Sequence, residues 1–187
     1  MAATIPPTPY TWVNSENLLA EDMGERIEDV LNFLMNPPMV RLRKITSQTF
    51  TSATPTNVIW DFVEIENTNM WDASQPTRIK PSVPGWYVGS CGWSFAFNAS
   101  GEREMNIFKN GLSSAATDPN MIANTGQGYA SSAWTTVSRG NVFIEPFNGT
   151  TDYVEMQLYQ NSGGNLAMQF GSQDAQADFT LRWLAAL

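Results

Sequence analysis

Hydrophobic positions along the chain follow two different periods, and the change between them divides the sequence. Between residues 15 and 35 the large apolar side chains recur every three or four positions, at Leu19, Met23, Ile27, Val30 and Leu34. This spacing places them on one face of a predicted helix. The Pro37-Pro38 pair follows directly and ends that helix, because proline cannot continue the ladder of backbone hydrogen bonds.

Beyond the proline pair the apolar positions alternate with polar ones, which is the period of a β-strand. The longest alternating run reaches from Tyr87 to Phe97, and turn residues such as Asn110-Gly111 separate the runs. Many short strands at this spacing are typical of a β-sandwich. The sequence therefore predicts a mainly β domain over residues 39–187, preceded by an arm and an α-helix within residues 1–38.

The first residues of the chain are expected to form an extended arm. Residues 1–13 contain three prolines followed by Tyr10 and Trp12, and proline both fixes φ and removes a backbone donor. Large aromatic side chains on an arm favour docking on another surface. The helix needs a partner as well, since a lone helix of about twenty residues is marginal in water. That partner is either the body of the same chain or the same helix in neighbouring copies. The candidate anchoring and interface residues are Tyr10, Trp12, Leu19, Met23, Ile27, Val30 and Leu34.

Composition argues against several classes of function. The chain of 187 residues has no His and one Cys, so the commonest general base and transition-metal ligand are missing and a catalytic Cys–His pair is impossible. We therefore expect no enzymatic activity, no cofactor and no metal site. The net charge is −8 with ten basic residues, which argues against nucleic-acid binding. No apolar run of about eighteen residues is present, so we expect no membrane-spanning segment.

The order of strand signatures resembles a known group of jelly rolls. The segment Pro84-Gly85-Trp86-Tyr87-Val88, the hairpin-like run from Arg103 to Gly111, the strands between Val142 and Leu158, and the final Phe179–Leu184 strand carry the resemblance. It is to the jelly roll shared by the complement-head and tumour-necrosis-factor families, over roughly residues 45–187. The resemblance implies an antiparallel jelly-roll β-sandwich that assembles as a trimer, with one sheet of each copy packed around the threefold axis. Tyr87, Tyr153, Tyr159 and Phe170 are candidates for that interface.

The N-terminal residues resemble a second group. Trp12, Glu16, Ala20 and Met23, then Ile27-Glu28-Asp29, then the run Phe33-Leu34-Met35-Asn36-Pro37-Pro38 look like the start of small structural proteins of actinobacterial tailed phages. In that group a Trp-containing arm and a helix precede a jelly roll. Such proteins occur as trimers on virions, either decorating the capsid or attached to the tail. The resemblance implies the same setting for this chain.

Paired carboxylates and exposed aromatic side chains are the remaining candidates for chemistry. Glu64 and Glu66 fall on one face of a predicted strand. A glycosidase places two carboxyl groups across a sugar, but a solvated strand face is the simpler interpretation of this pair. Trp71 and Trp134 lie in loop-like segments and are candidates for contact with a partner.

Together the two resemblances imply a non-enzymatic phage structural protein. We expect a homotrimeric capsid decoration (minor capsid) protein on the outer surface of the virion, made in the host cytoplasm, with the major capsid protein or a tail protein as partner. One alternative is a minor tail or baseplate protein that contacts the host surface. A further alternative is a carbohydrate-binding module in which Trp71 and Trp134 stack on a host-surface glycan.

Overall fold

The computed structural model describes residues 27–111, 118–131, 136–168 and 176–187. Within them one short helix, α1 (Asp29–Met35), precedes the strands. In chain order the strands are β1 (Met39–Arg43), β2 (Thr49–Phe50), β3 (Thr56–Asn57), β4 (Phe62–Glu66), β5 (Arg78–Ile79), β6 (Gly85–Phe95), β7 (Asn98–Lys109), β8 (Met121–Ser131), β9 (Thr136–Phe147), β10 (Val154–Gln160), β11 (Leu166–Ala167) and β12 (Asp178–Ala185).

A five-stranded sheet forms one layer, with the strand order β4-β1-β12-β6-β9. Its neighbours all pair antiparallel, as in β6 with β9, where Val88 lies opposite Ile144. The side chains on its inner face are buried, among them Val40, Tyr87 and Leu181. The residues between these buried positions point to the outer face, because successive side chains of a strand lie on opposite faces of the sheet.

A second sheet forms the opposing layer, with the order β3-β10-β7-β8, and β5 pairs with β10 beside β3. β2 and β11 form a separate two-stranded sheet. Non-consecutive strands lie side by side in both large sheets, so the chain crosses repeatedly from one layer to the other.

The hydrophobic core lies between the two large sheets. Met105 of β7 meets Cys91 of β6 across the gap, with 3.4 Å between the sulfur atoms. Trp60 packs edge-on against Phe179 of β12, with ring centroids 6.1 Å apart. Gly89 of β6 allows the Phe143 ring to pack directly on the backbone, because a Cβ at Gly89 would lie only 2.1 Å from that ring. The predicted mainly β sandwich with a short preceding helix is confirmed.

Local details differ from the sequence prediction where distant contacts intervene. The turn expected at Asn110-Gly111 is not a two-residue hairpin, because β8 begins only at Met121. Asn110 does adopt a left-handed conformation (φ 60°), and its backbone N–H donates to the Tyr153 backbone carbonyl (3.0 Å). Phe97 lies beyond the end of β6 and is exposed instead of continuing the buried face.

Candidate functional site

The outer face of the five-stranded sheet is apolar at one end. Trp86, Val88, Val142, Ile144 and Pro146 point outward from β6 and β9, and we call this set the apolar face. Val142 is 62% exposed, Ile144 56% and Trp86 40%. Cross-strand register places Trp86 opposite Pro146 and Val88 opposite Ile144, so the side chains adjoin one another. Adjoining exposed apolar side chains of this size mark an interaction surface more often than a solvated one.

The other end of the same outer face is charged and internally neutralised. Glu64 of β4 forms ion pairs with Arg41 (3.1 Å) and with Arg43 (2.7 Å), both on β1. Arg41 also reaches Asp178 of β12 at 3.7 Å. The basic run that begins at Arg41 therefore contacts acidic neighbours on adjacent strands, and Lys44 at its end is buried against Asp61.

Helix α1 is fixed to the sandwich by a residue outside the predicted stripe. Phe33 is 1% exposed, and its ring meets the Trp183 indole of β12 edge-on at 4.8 Å. Of the three stripe residues in the described part, Ile27 and Leu34 are exposed and Val30 is partly buried. The helix thus contacts the body of its own chain through Phe33, and two of the three described stripe residues stay uncovered.

A groove joins the helix to the apolar face. Its volume is about 250 Å³, and it is lined by Leu34, Pro37, Val88, Arg182, Trp183 and Leu184. Val88 belongs to the apolar face, and Leu34 is an exposed helix residue. The helix, the groove and the apolar face therefore form one continuous, largely apolar surface.

The other predicted contact residues fall in different places. Tyr10, Trp12, Leu19, Met23, Trp134 and Phe170 lie outside the described residues. Trp71 is partly buried and lines a separate pocket formed by residues between the end of β4 and the start of β6.

Tyr87 does not belong to an outer interface. It is fully buried inside the sandwich, where its hydroxyl donates to the Val83 carbonyl (2.8 Å). Position 87 faces inward because it shares the alternating face of Gly89 and Cys91, which corrects the interface role expected for it. Trp86, its outward-pointing neighbour, is the exposed aromatic residue on this strand, and the same alternation could have identified it.

The thiol of Cys91 and the paired carboxylates Glu64 and Glu66 are engaged in the structure. Cys91 is buried, and its burial, with the nearby charge of Asp178, raises the pKa of the thiol to about 12, so a thiolate does not form near neutral pH. Glu64 is held by arginines, and Glu66 accepts from the Trp71 backbone N–H (2.8 Å). Among residues 27–111, 118–131, 136–168 and 176–187, no three acidic or Cys side chains gather where a metal ion could bind. In the same residues no helix has the length and apolar character to cross a membrane.

The loop between β9 and β10 is organised by Asn148. Its side-chain carbonyl accepts from the backbone N–H groups of Thr150 (2.9 Å), Thr151 (2.9 Å) and Asp152 (3.1 Å). The Asn148-Gly149-Thr150 triplet matches a glycosylation acceptor in sequence, and here its asparagine caps a turn.

Comparison with known proteins gives a fold. No known family model matches the sequence, and no curated protein matches it. The structure is similar to that of murine APRIL, in a crystal at pH 8.0, with a TM-score of 0.51 and 9% identity, covering 76% of this chain and 97% of that one. It is similar to Eiger TNF from S. frugiperda with the same TM-score and identity, covering 80% of this chain and 95% of that one. Identity this low speaks for the architecture and not for the function. The chain therefore has the jelly-roll β-sandwich fold that APRIL and Eiger TNF share.

Proposed function

We propose that this chain is a non-enzymatic structural protein that self-associates as a homotrimer through the outer face of its five-stranded sheet. The observation that carries the proposal is the apolar face, with Val142, Ile144 and Trp86 each at least 40% exposed. Three copies packed around an axis would cover this surface, as in the jelly-roll families that the sequence resembles. Burial of such side chains is the main favourable term in stable association.

The helix extends the proposed interface. Leu31, Leu34 and Met35 are between 51% and 82% exposed on a helix that Phe33 holds against β12, and Ile27, just before the helix, is 42% exposed. Because the groove connects Leu34 of the helix to Val88 of the apolar face, a neighbouring copy could cover both surfaces in one contact. Of the two partners considered for the helical stripe, neighbouring copies are therefore favoured over the sandwich of the same chain.

We further propose that the trimer is mounted on the outer surface of a phage capsid as a decoration protein. The support is the sequence resemblance of the N-terminal arm and helix, including the Phe33–Pro38 run, together with the position of the helix at the border of the sandwich. Many copies, each weakly bound to the shell, gain strength by multivalency. A minor tail protein is the rival location.

Two measurements test the proposal. Sedimentation velocity at micromolar concentration should give a species of three chains of 20.7 kDa, and a monomer would contradict the assembly. Quantitative mass spectrometry of purified virions should give on the order of hundreds of copies per particle for a decoration protein. A few trimers per particle would favour the tail, and absence from the virion would contradict the phage setting.

Removal of residues 1–26 separates attachment from folding. This deletion keeps Phe33, so the helix can still pack on Trp183. We expect the shortened chain to fold and to lose virion attachment. Retained attachment would show that the arm is not the anchor.

A further inference from the structure

A polar pocket lies beside Trp71, apart from the apolar face. It occupies about 250 Å³ between the end of β4 and the start of β6. Its lining includes Asn69, Trp71, Asp72, Gln75, Arg78 and Lys80, and it shares no lining residue with the apolar face. Pockets for drug-sized ligands are roughly 300–1,000 Å³, so this one suits a single small ring.

The pocket is held in shape by its own hydrogen bonds. The Trp71 backbone N–H donates to Glu66 (2.8 Å), and its indole N–H donates to the Pro76 carbonyl (3.3 Å), which fixes the orientation of the ring. Asp72 accepts from the Ser74 backbone N–H (2.8 Å), so the loop is capped locally. A site that is ordered before binding avoids the entropic cost of ordering it.

The polar groups of the pocket include hydrogen-bond donors and acceptors, and both a positive and a negative charge. Asp72 offers carboxylate oxygens, Asn69 offers an amide donor and a carbonyl acceptor, and Lys80 offers an ammonium group. Gln75 offers its amide donors, while its side-chain carbonyl already accepts from Arg78 (3.4 Å). Lys80 is exposed and makes no ion pair with any described residue. Arg78, by contrast, is already held by Glu155 (3.3 Å).

This combination discriminates between ligand classes. An anion such as phosphate would gain from Lys80 but would also face the Asp72 carboxylate, with Arg78 already neutralised by Glu155. A hydroxyl group both donates and accepts, so a ring that carries several hydroxyls can use Lys80, Gln75 and Asp72 together. The flat indole supplies an apolar surface for the ring itself.

We propose that the Trp71 pocket is a binding site for one ring of a neutral saccharide. The ring stacks on the Trp71 indole, and its hydroxyls bond to Asp72, Gln75 and Lys80. The site is complete in a single copy, so it depends on neither the trimer nor the phage setting. In a trimer the three pockets would raise the avidity for a repeating glycan.

Saturation-transfer difference NMR on the full chain tests this proposal. The probes are glucose, galactose, mannose and N-acetylglucosamine, with glucuronate and inorganic phosphate as the anionic arm. We expect at least one neutral sugar to bind with a dissociation constant on the order of millimolar, because the site contacts one ring only. Binding by none of the neutral sugars, or by the anionic probes alone, would overturn the proposal.

Variants place the binding in the pocket. Lys80→Ala and Gln75→Ala change exposed side chains, and each should weaken binding about two- to tenfold through the loss of one hydrogen bond. Trp71→Ala should weaken it more than tenfold, although this variant also removes a ring that packs against the core. Trp86→Ala is the matched control, because it removes an exposed indole from the apolar face and should leave sugar binding unchanged. Binding that is insensitive to Lys80→Ala and Gln75→Ala, or lost in Trp86→Ala, would refute the assignment.

Discussion

Ile144→Glu is the sharpest test of the apolar face as an interface between copies. Ile144 is 56% exposed at the centre of β9's outward positions, directly opposite Val88. Complete burial of an isoleucine side chain is worth about 1.5–3 kcal/mol, so covering the exposed part of Ile144 contributes about 1–2 kcal/mol per copy. Over three copies this is about 3–5 kcal/mol, since a threefold axis repeats every contact.

The loss of this free energy raises the dissociation constant of the trimer. At about 1.4 kcal/mol for each power of ten, the loss of burial alone raises the dissociation constant of the trimer by roughly two to four powers of ten. Three carboxylates would also be brought into a surface that excludes water, and each desolvated charge costs several kcal/mol more. We expect Ile144→Glu to be monomeric at micromolar concentration.

The assay is sedimentation velocity over a concentration series, with two control variants. Thr54→Glu adds the same charge on an exposed loop between β2 and β3, and Ile144→Val removes one methylene; both should stay trimeric. Far-ultraviolet circular dichroism should be unchanged in all three, because substitutions at positions exposed in the folded chain typically shift its stability by less than about 0.5 kcal/mol. A trimeric Ile144→Glu variant would refute the assignment of this face.

Three further changes probe the fold around the site. Phe33→Ala should release helix α1, because truncation of a buried aromatic side chain typically lowers the free energy of unfolding by about 3–5 kcal/mol. The release should be measured as faster amide hydrogen exchange in residues 30–35, and unchanged exchange would contradict the role of Phe33 as the anchor. Burial acts to raise the pKa of Asp61, but hydrogen bonds from Lys44, Thr46 and the Ile45 N–H outweigh it and hold the pKa below its ordinary value. The ionised Asp61 carboxylate therefore stabilises the folded state above about pH 4, and this stability is lost as the pH falls through the folded pKa. Asp61→Asn should lower the free energy of unfolding by about 1–3 kcal/mol at pH 7 and by progressively less below pH 4, as measured by urea titration. An equal loss at pH 7 and below pH 4 would argue against this ionic role. Gly89→Ala should destabilise the sandwich by about 1–3 kcal/mol, since its Cβ would overlap the Phe143 ring, and an unchanged unfolding midpoint would show that the ring moves freely.

Alternation along the chain was enough to predict the sandwich, because a strand with one buried face repeats its pattern every second residue. The run from Gly85 to Cys91 shows this plainly, since its odd-numbered residues are buried and its even-numbered residues are exposed or partly exposed. The same alternation did not locate the residue that anchors the helix. Phe33 was missed because its partner, Trp183, is 150 positions further along the chain, and helical periodicity carries no information about such a contact.

The candidate sites were only partly predictable for the same reason. Trp71 was identified from its loop setting, and most of its pocket comes from the neighbouring residues 69–80. The apolar face was not identified, since it exists only when β6 and β9 lie side by side, although residues 86 and 144 are 58 positions apart. Outward-facing Val and Ile in a strand are indistinguishable from core residues until the register of the sheet is known.

Modification of the buried Cys91 thiol can be used to measure how often the two sheets of the sandwich separate. Because the thiol is enclosed between the sheets and its pKa is about 12, a thiol-specific reagent can modify it only after the layers separate. The rate of modification in a native sample then follows the frequency of that separation, residue 91 being the only cysteine. A cysteine engineered on any exposed loop would react first, so a fluorophore or other cargo can be attached at a chosen place on the surface of the protein without replacing Cys91.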